Sequence, residues 1–318
     1  MDPERSSTSM PDTAGLRVAV LGPGGVGGLL AGLLARGGAD VTCLAGRETA
    51  SLLDEQGVAV RSALFGDFVA AVHAAERLTE PVDVCLVTVK ATQLEAAVAR
   101  LPADVLGDAL LVPLLNGVEH MTLLRERYPR AAVIAGAIRV ESTRVAPGEI
   151  RHDSPFVAVE LAPPAELSPR GEGLAAVLRH LGLQVSVTHD EAAALWGKLA
   201  FLAPFALLST HEAAPLGVVR DRRRAELAAV VAEVSAVARA EGVSIDDRGL
   251  IDVFDRLPPT MQSSMQRDAA AGRPTELEAI GGAVLRRAAR HGIALPVTER
   301  LVGELRARQS ADVRSAPR

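Results

Sequence analysis

Apolar residues enter the first half of the chain in short blocks, separated by glycine turns and amphipathic stretches. Val18 to Leu21 is a uniformly apolar, largely β-branched run, as expected of a parallel strand buried on both faces. Leu29, Leu30, Leu33 and Leu34 then recur at helical spacing, and Gly37-Gly38 stops that helix. Further strands are predicted at DVTCLA (40–45), DVCLVTV (83–89), ALLVPLL (109–115) and AVIAGAI (132–138). Helical segments such as TQLEAAVARL (92–101) lie between them. GEIRHDSPFVAVEL (148–161) reads as a hairpin and LQVSVT (183–188) as a closing strand.

Past residue 188 the strand pattern stops. Residues 190–308 are periodic in the helical sense, for example RRRAELAAVVAEVSAVARAEG (222–242) and ELEAIGGAVLRRAARHG (276–292). The predicted fold class is α/β, an N-terminal Rossmann-type doubly wound sheet (16–188) followed by an all-helical C-terminal domain (189–310). A polar leader (1–15) precedes them and is expected to be disordered. It has no apolar core of the kind a secretory signal carries.

Composition removes several function classes. The 318 residues are 48% hydrophobic, carry a formal charge of −5 and include only 3% aromatics. That gives neither the basic footprint nor the stacking platforms of a nucleic-acid binder. The two cysteines, Cys43 and Cys85, fall in apolar strands and read as core residues of a reducing compartment. The longest apolar run, LWGKLAFLAPFALLST (195–210), is interrupted by Lys198 and Pro204 and reads as too short to cross a bilayer. A soluble, cytoplasmic protein with no membrane partner is expected.

Gly22-Pro23-Gly24-Gly25-Val26-Gly27 fits G-x-G-x-x-G, directly after a strand and before a helix. In a dinucleotide site the first glycine permits the turn and the second lets backbone approach the pyrophosphate. The third lets helix meet strand. The helix N-terminus adds N–H groups for the phosphates. Where an NAD site places an acid at the end of the second strand, this chain has Ala45-Gly46-Arg47. A guanidinium suits a 2′-phosphate, so Arg47 points to NADPH; the alternative is a surface arginine opening the next helix.

Lys198, among Trp196, Leu199, Phe201, Leu202 and Phe205, is either snorkelling to solvent or held for chemistry. A buried ammonium needs a partner. Pro204, six residues on, is expected to kink or end the helix.

Three further stretches, VDVCLVTVKATQ, LLNGVE and SSMQRDAAAGRPTELEAIGGAVLRRAARHGIALP, resemble segments of the ketopantoate reductases, the 2-dehydropantoate 2-reductase family. The resemblance runs in order from residue 16 to 308. It implies NADPH-dependent reduction of a 2-keto acid to a 2-hydroxy acid, in the pantothenate pathway where the substrate is 2-dehydropantoate, in a cleft between the two domains. It makes Lys198 the catalytic general acid and Glu276 its companion. Ser264 and Asn116 map to substrate positions, and Lys90 and Asn116 to the nicotinamide and ribose end. The chain also departs from the pattern. The arginine for the 2′-phosphate usually stands one position earlier, at Gly46. Two asparagines facing the substrate are replaced by Leu202 and Ala206, and two more by Met261 and Gly281.

Each mapped residue also has a plainer reading. Glu276 follows Pro274-Thr275 and suits a helix N-terminus; Ser264 could cap the helix MQRDAA; Asn116-Gly117 could be only a turn. His120 and His291 show no ligand spacing, and no metal site is predicted. The leading expectation is an NADPH-dependent 2-keto-acid reductase, possible as a homodimer. One rival is a member acting on a more apolar keto acid or an imine in secondary metabolism. The other is a non-catalytic NADP(H) sensor.

Overall fold

The computed structural model describes residues 13–315 and divides the chain into two compact units. The first runs to Val89 and adds Gln93–Leu115 and Met121–Glu191. The second takes Lys90–Thr92, Asn116–His120 and the chain from Ala192 onward. Of the expected leader, residues 1–12 lie outside the described residues. Thr13 is already buried, its hydroxyl donating to the Gly37 carbonyl.

The first unit is built on a six-stranded, all-parallel sheet. Its order is His73–Ala75, Asp40–Leu44, Arg17–Leu21, Val84–Val87, Leu110–Pro113, Ala132–Val133. In chain order this is 3-2-1-4-5-6, the doubly wound arrangement, and its direction reverses between Arg17–Leu21 and Val84–Val87. The run Val18 to Leu21 is buried throughout, as its uniform apolarity requires. Helix Gly25–Arg36 packs its leucines into the same core as Val58, Val60 and Ile150.

Several expected elements differ. AVIAGAI is not one strand: Ala132–Val133 completes the parallel sheet, while Ala135–Arg139 pairs antiparallel with Ala158–Ala162 in a second, three-stranded sheet. Gly136 permits the change of sheet, because a Cβ there would meet Leu114 at 2.7 Å and the Pro113 carbonyl at 3.1 Å. The expected hairpin over 148–161 does not form. Glu149–His152 pairs instead with Ser142–Ala146, across a turn with Gly148 at φ +76°, and with Val58–Ser62. Pro155, lacking an N–H, interrupts the chain before Ala158–Ala162. TQLEAAVARL holds only one α-helical turn, Leu94–Ala97, flanked by tighter 3₁₀ turns. The strands Val58–Ser62, Phe68–Ala70 and His73–Ala75 were not anticipated from sequence.

The second unit is helical, around the 22-residue helix Glu191–Glu212. Pro204 does not end this helix. Its missing N–H leaves one bond to the Ala200 carbonyl unmade. Burial of Trp196, Leu199, Phe205, Leu207 and Leu208 on several sides of the helix offsets that loss. Phe201 stacks on Phe254 of helix Asp247–Arg256, ring centroids 4.8 Å apart. Helix Glu191–Glu212 is, contrary to the expectation above, long and apolar enough by length and composition to cross a membrane. Two thirds of that window (67%) is buried within the protein, as in a core helix.

Candidate active site

The glycine turn lies at the carboxyl end of Arg17–Leu21, at the reversal of strand order. Gly22 has φ +89°, and a Cβ on it would meet the Val89 side chain at 2.4 Å. A Cβ on Gly27 would meet the Thr88 hydroxyl at 2.2 Å and the Gly22 carbonyl at 2.4 Å. Gly25 is required for another reason: Ser142 backbone lies 2.2 Å from its would-be Cβ, and the Ser142 hydroxyl donates to the Gly25 carbonyl at 2.7 Å. Gly24 is the exception, with nothing nearer than the Gly22 carbonyl at 4.0 Å. Three glycines are therefore demanded by the protein itself. The fourth keeps open the position where backbone would approach a pyrophosphate. Half-buried Val26 opens helix Gly25–Arg36. Thr88, unremarked in the sequence, pins the turn through its hydroxyl to the carbonyls of Leu21 and Gly22.

Arg47 begins helix Arg47–Gln56, with its side chain 86% exposed and Nε donating to Glu76 Oε1 at 2.9 Å. That carboxylate neutralises part of the charge expected to meet a 2′-phosphate.

Within the second unit, two short loops following parallel strands are fastened by one buried carboxylate. Glu276 Oε1 accepts from the Ala91 N–H at 2.9 Å, and Oε2 accepts from Asn116 Nδ2 at 2.8 Å. These two bonds fix the segments 90–92 and 116–120 to one carboxylate. Gly117 holds φ +90°, and a Cβ there would lie 2.4 Å from the Ala279 carbonyl, so the loop can seat only with glycine. Just beyond Glu276 the chain makes a π turn, Glu278–Gly282, a feature often found at functional sites. Lys90 Nζ donates to buried Asp268 at 2.6 Å, whose other oxygen accepts from Arg273 Nε at 3.0 Å. Asp268 lies in the stretch SSMQRDAAAGRPTELEAIGGAVLRRAARHGIALP, where the sequence alone assigns it no role.

Glu276→Gln removes one acceptor and sets an amide N–H₂ against a donor. Replacing a charged hydrogen bond costs ~1.5–3 kcal/mol. We expect a lower Tm together with a raised KM and a lowered kcat. A variant of unchanged Tm and unchanged kinetics would show that the loops do not depend on this carboxylate.

Lys198 is half-buried on the long helix, and its positive charge acts on His120. His120 is buried, and among the described residues its Nε2 has no hydrogen-bond partner. Burial first, then the Lys198 charge, lowers its pKa from 6.5 to about 4, so the ring is neutral at physiological pH. The unfolded chain takes up this proton near pH 6.5 and the folded chain only near 4. Stability present above 6.5 is therefore lost as pH falls toward 4, amounting to about 2 kcal/mol at pH 5. Urea titrations at pH 7.5 and 5.0 should differ less in His120→Gln than in wild type by that amount. An identical pH dependence would place the acid sensitivity elsewhere.

Ser264 is exposed, and the cap expected of it is supplied by its neighbour. Ser263 is buried, accepts from the Gln266 N–H at 3.1 Å and shares a hydrogen bond with Ser209 at 2.8 Å. Leu202 is half-buried and Ala206 fully buried. At Gly281 a Cβ would meet Val302 at 2.6 Å and Leu207 at 2.9 Å. An asparagine there would require the methyl groups of Leu207 and Val302 to move. Met261 is half-buried and offers its carbonyl to the Leu216 N–H. Among the described residues no group of three or more His, Cys, Asp or Glu could hold a metal ion.

A doubly wound nucleotide-binding unit, joined to a helical unit that carries a half-buried lysine beside a carboxylate-fastened pair of loops, defines a nicotinamide-dependent oxidoreductase. Residues 18–164 match the family model for ketopantoate reductase PanE/ApbA, and residues 190–309 match the model of its C-terminal domain. The chain is 33% identical over 296 residues to 2-dehydropantoate 2-reductase of Mycobacterium tuberculosis, covering 90% of this chain and 95% of that one. It is 30% identical to the Caulobacter vibrioides enzyme of the same name, covering 91% and 98%. A ketopantoate reductase structure from Ralstonia eutropha superposes with TM-score 0.84 at 28% identity, covering 94% of this chain and all (100%) of that one. The chain belongs to the ketopantoate reductase family.

Proposed function

We propose that the protein reduces a 2-oxo acid to the 2-hydroxy acid with NADPH, with Lys198 as the general acid. The observation that carries the reading is the half-buried Lys198 on a buried helix, its charge acting on a buried neutral imidazole. In such surroundings an ammonium is a strong electrostatic partner for developing negative charge.

The residues of the glycine turn fit a dinucleotide, since only Gly24 leaves the open approach that a pyrophosphate requires. Bound NADPH would supply the hydride to the carbonyl carbon. As the carbonyl π pair moves onto oxygen, Lys198 Nζ stabilises the alkoxide and transfers a proton to it. The resulting amine recovers its proton from solvent. Asn116, with Nδ2 committed to Glu276, presents Oδ1 as a fixed acceptor for cofactor or substrate. Lys90, held by Asp268, supplies a positioned positive charge at the end of a neighbouring strand.

NADPH is the cofactor we propose because Arg47 stands where an NAD site carries an acid. The M. tuberculosis and C. vibrioides relatives make 2-dehydropantoate the reference substrate. The apolar residues at 202 and 206 favour a less polar side chain. The test compares kcat/KM for NADPH and NADH across a 2-oxo acid panel. A preference for NADH would overturn the cofactor reading, and NADPH binding without turnover on any 2-oxo acid would favour the sensor.

A further inference from the structure

Arg100 was not singled out by any motif, and it lies at the carboxyl edge of the parallel sheet. One of its terminal nitrogens, NH1, donates at 2.7 Å to the carbonyl of Ala45 and at 2.7 Å to that of Glu76. These carbonyls directly follow the adjacent parallel strands Asp40–Leu44 and His73–Ala75. The guanidinium therefore bridges the ends of two strands, at the place where a doubly wound sheet receives the adenosine ribose. Among the described residues only NH1 is engaged. The other terminal nitrogen, NH2, lies 3.9 Å from where a Cβ on Gly46 would stand, and apart from the chain neighbours of Gly46 no other described residue comes within 4 Å of that point.

Arg47, the residue the sequence offers for a 2′-phosphate, is poorly prepared by comparison. Its side chain is 86% exposed and its Nε is bound to Glu76, a carboxylate that would itself repel a phosphate. An exposed arginine must be ordered and shared before it contributes. Arg100 is already oriented by two backbone carbonyls, so its fork loses little freedom on binding an anion. With Arg47 drawn to Glu76, it is Arg100 that leaves unshared positive charge beside Gly46.

We propose that Arg100 is a 2′-phosphate ligand that sets the selectivity for NADP(H) over NAD(H), with Arg47 as its mobile partner. This rests on the dinucleotide reading above. The phosphate oxygens would accept from Arg100 NH2 and Nε while NH1 keeps the two strand ends together. Glu76 would limit the affinity by competing for Arg47.

The test is calorimetric binding of NADPH, NADH, 2′,5′-ADP and 5′-AMP to wild type, Arg100→Gln, Arg100→Lys and Arg47→Ala. The fragments remove any dependence on substrate or turnover. Arg100→Gln is expected to weaken NADPH and 2′,5′-ADP about tenfold or more, leaving NADH and 5′-AMP within about twofold. Arg100→Lys, which keeps the charge but lacks the planar fork that places separate N–H groups toward the carbonyls and the phosphate, should show a smaller loss of the same selectivity and serves if the glutamine variant does not fold. Equal weakening of all four ligands would make Arg100 only a brace and overturn the proposal. So would unchanged binding, or a loss of selectivity confined to Arg47→Ala, which leaves the NADPH reading standing. Wild type binding neither NADPH nor NADH would defeat the dinucleotide reading itself.

Discussion

Lys198→Ala is expected to lose turnover by ~10²-fold or more while keeping its fold and its affinity for NADPH. The lysine stands half-buried on a helix whose stability comes from Trp196, Leu199, Phe205 and their neighbours, so truncating its stem leaves that packing in place. The loss should fall on kcat and kcat/KM alike, as for a group whose strongest interaction is with the alkoxide forming in the transition state. Lys198→Arg separates the two parts of the role. A guanidinium keeps the positive charge but does not release a proton near neutral pH. It should recover part of the electrostatic stabilisation and little of the proton transfer. Single-turnover NADPH oxidation, with melting curves and cofactor titrations alongside, makes the comparison. An alanine variant with wild-type kcat would return Lys198 to a snorkelling role.

The second large effect concerns the substrate side chain. In a dry site each polar group left unpaired costs ~1–3 kcal/mol. Two such losses reduce kcat/KM by a factor on the order of 10²–10³. With Leu202 and Ala206 in place of the asparagines, ketopantoate should be a poorer substrate than 2-oxo acids with unbranched or branched alkyl chains. The two positions are not equivalent. Ala206 is fully buried, so Ala206→Asn would place an amide in an apolar interior at a cost to folding. Half-buried Leu202 can take an asparagine with less disturbance. Leu202→Asn should therefore narrow the gap between ketopantoate and alkyl 2-oxo acids without lowering Tm. Wild-type kcat/KM for ketopantoate at the level of efficient enzymes, above that for the alkyl acids, would contradict this account of specificity.

The parallel sheet was legible because its strands are buried on both faces and carry uninterrupted apolar runs, as in Val18–Leu21 and Leu110–Val112. The hairpin was misread because two neighbouring apolar runs, around Ile150 and Val159, belong to different sheets. No local pattern records which strand a segment pairs with. That the helix does not end at Pro204 has a related reason: tertiary burial outweighs a single lost hydrogen bond. Among the site residues, the glycine turn was readable because steric demand is written in residue type, although Gly25 proved to serve a contact with Ser142. Arg100, Thr88 and Asp268 were not readable. Each acts through a partner 24 to 178 positions away, and an arginine, a threonine or an aspartate in isolation signals nothing. Gly281 shows the converse. The sequence displays a missing asparagine, and the structure shows the methyl groups of Leu207 and Val302 lying where its side chain would begin.

The most direct measurement is NADPH oxidation by the purified full-length protein with ketopantoate and alkyl 2-oxo acids, with the product identified by chiral chromatography. The account predicts one 2-hydroxy acid of a single configuration formed for each NADPH consumed, with turnover lost in Lys198→Ala. Tight NADPH binding with no 2-hydroxy acid formed from any of these substrates would contradict it.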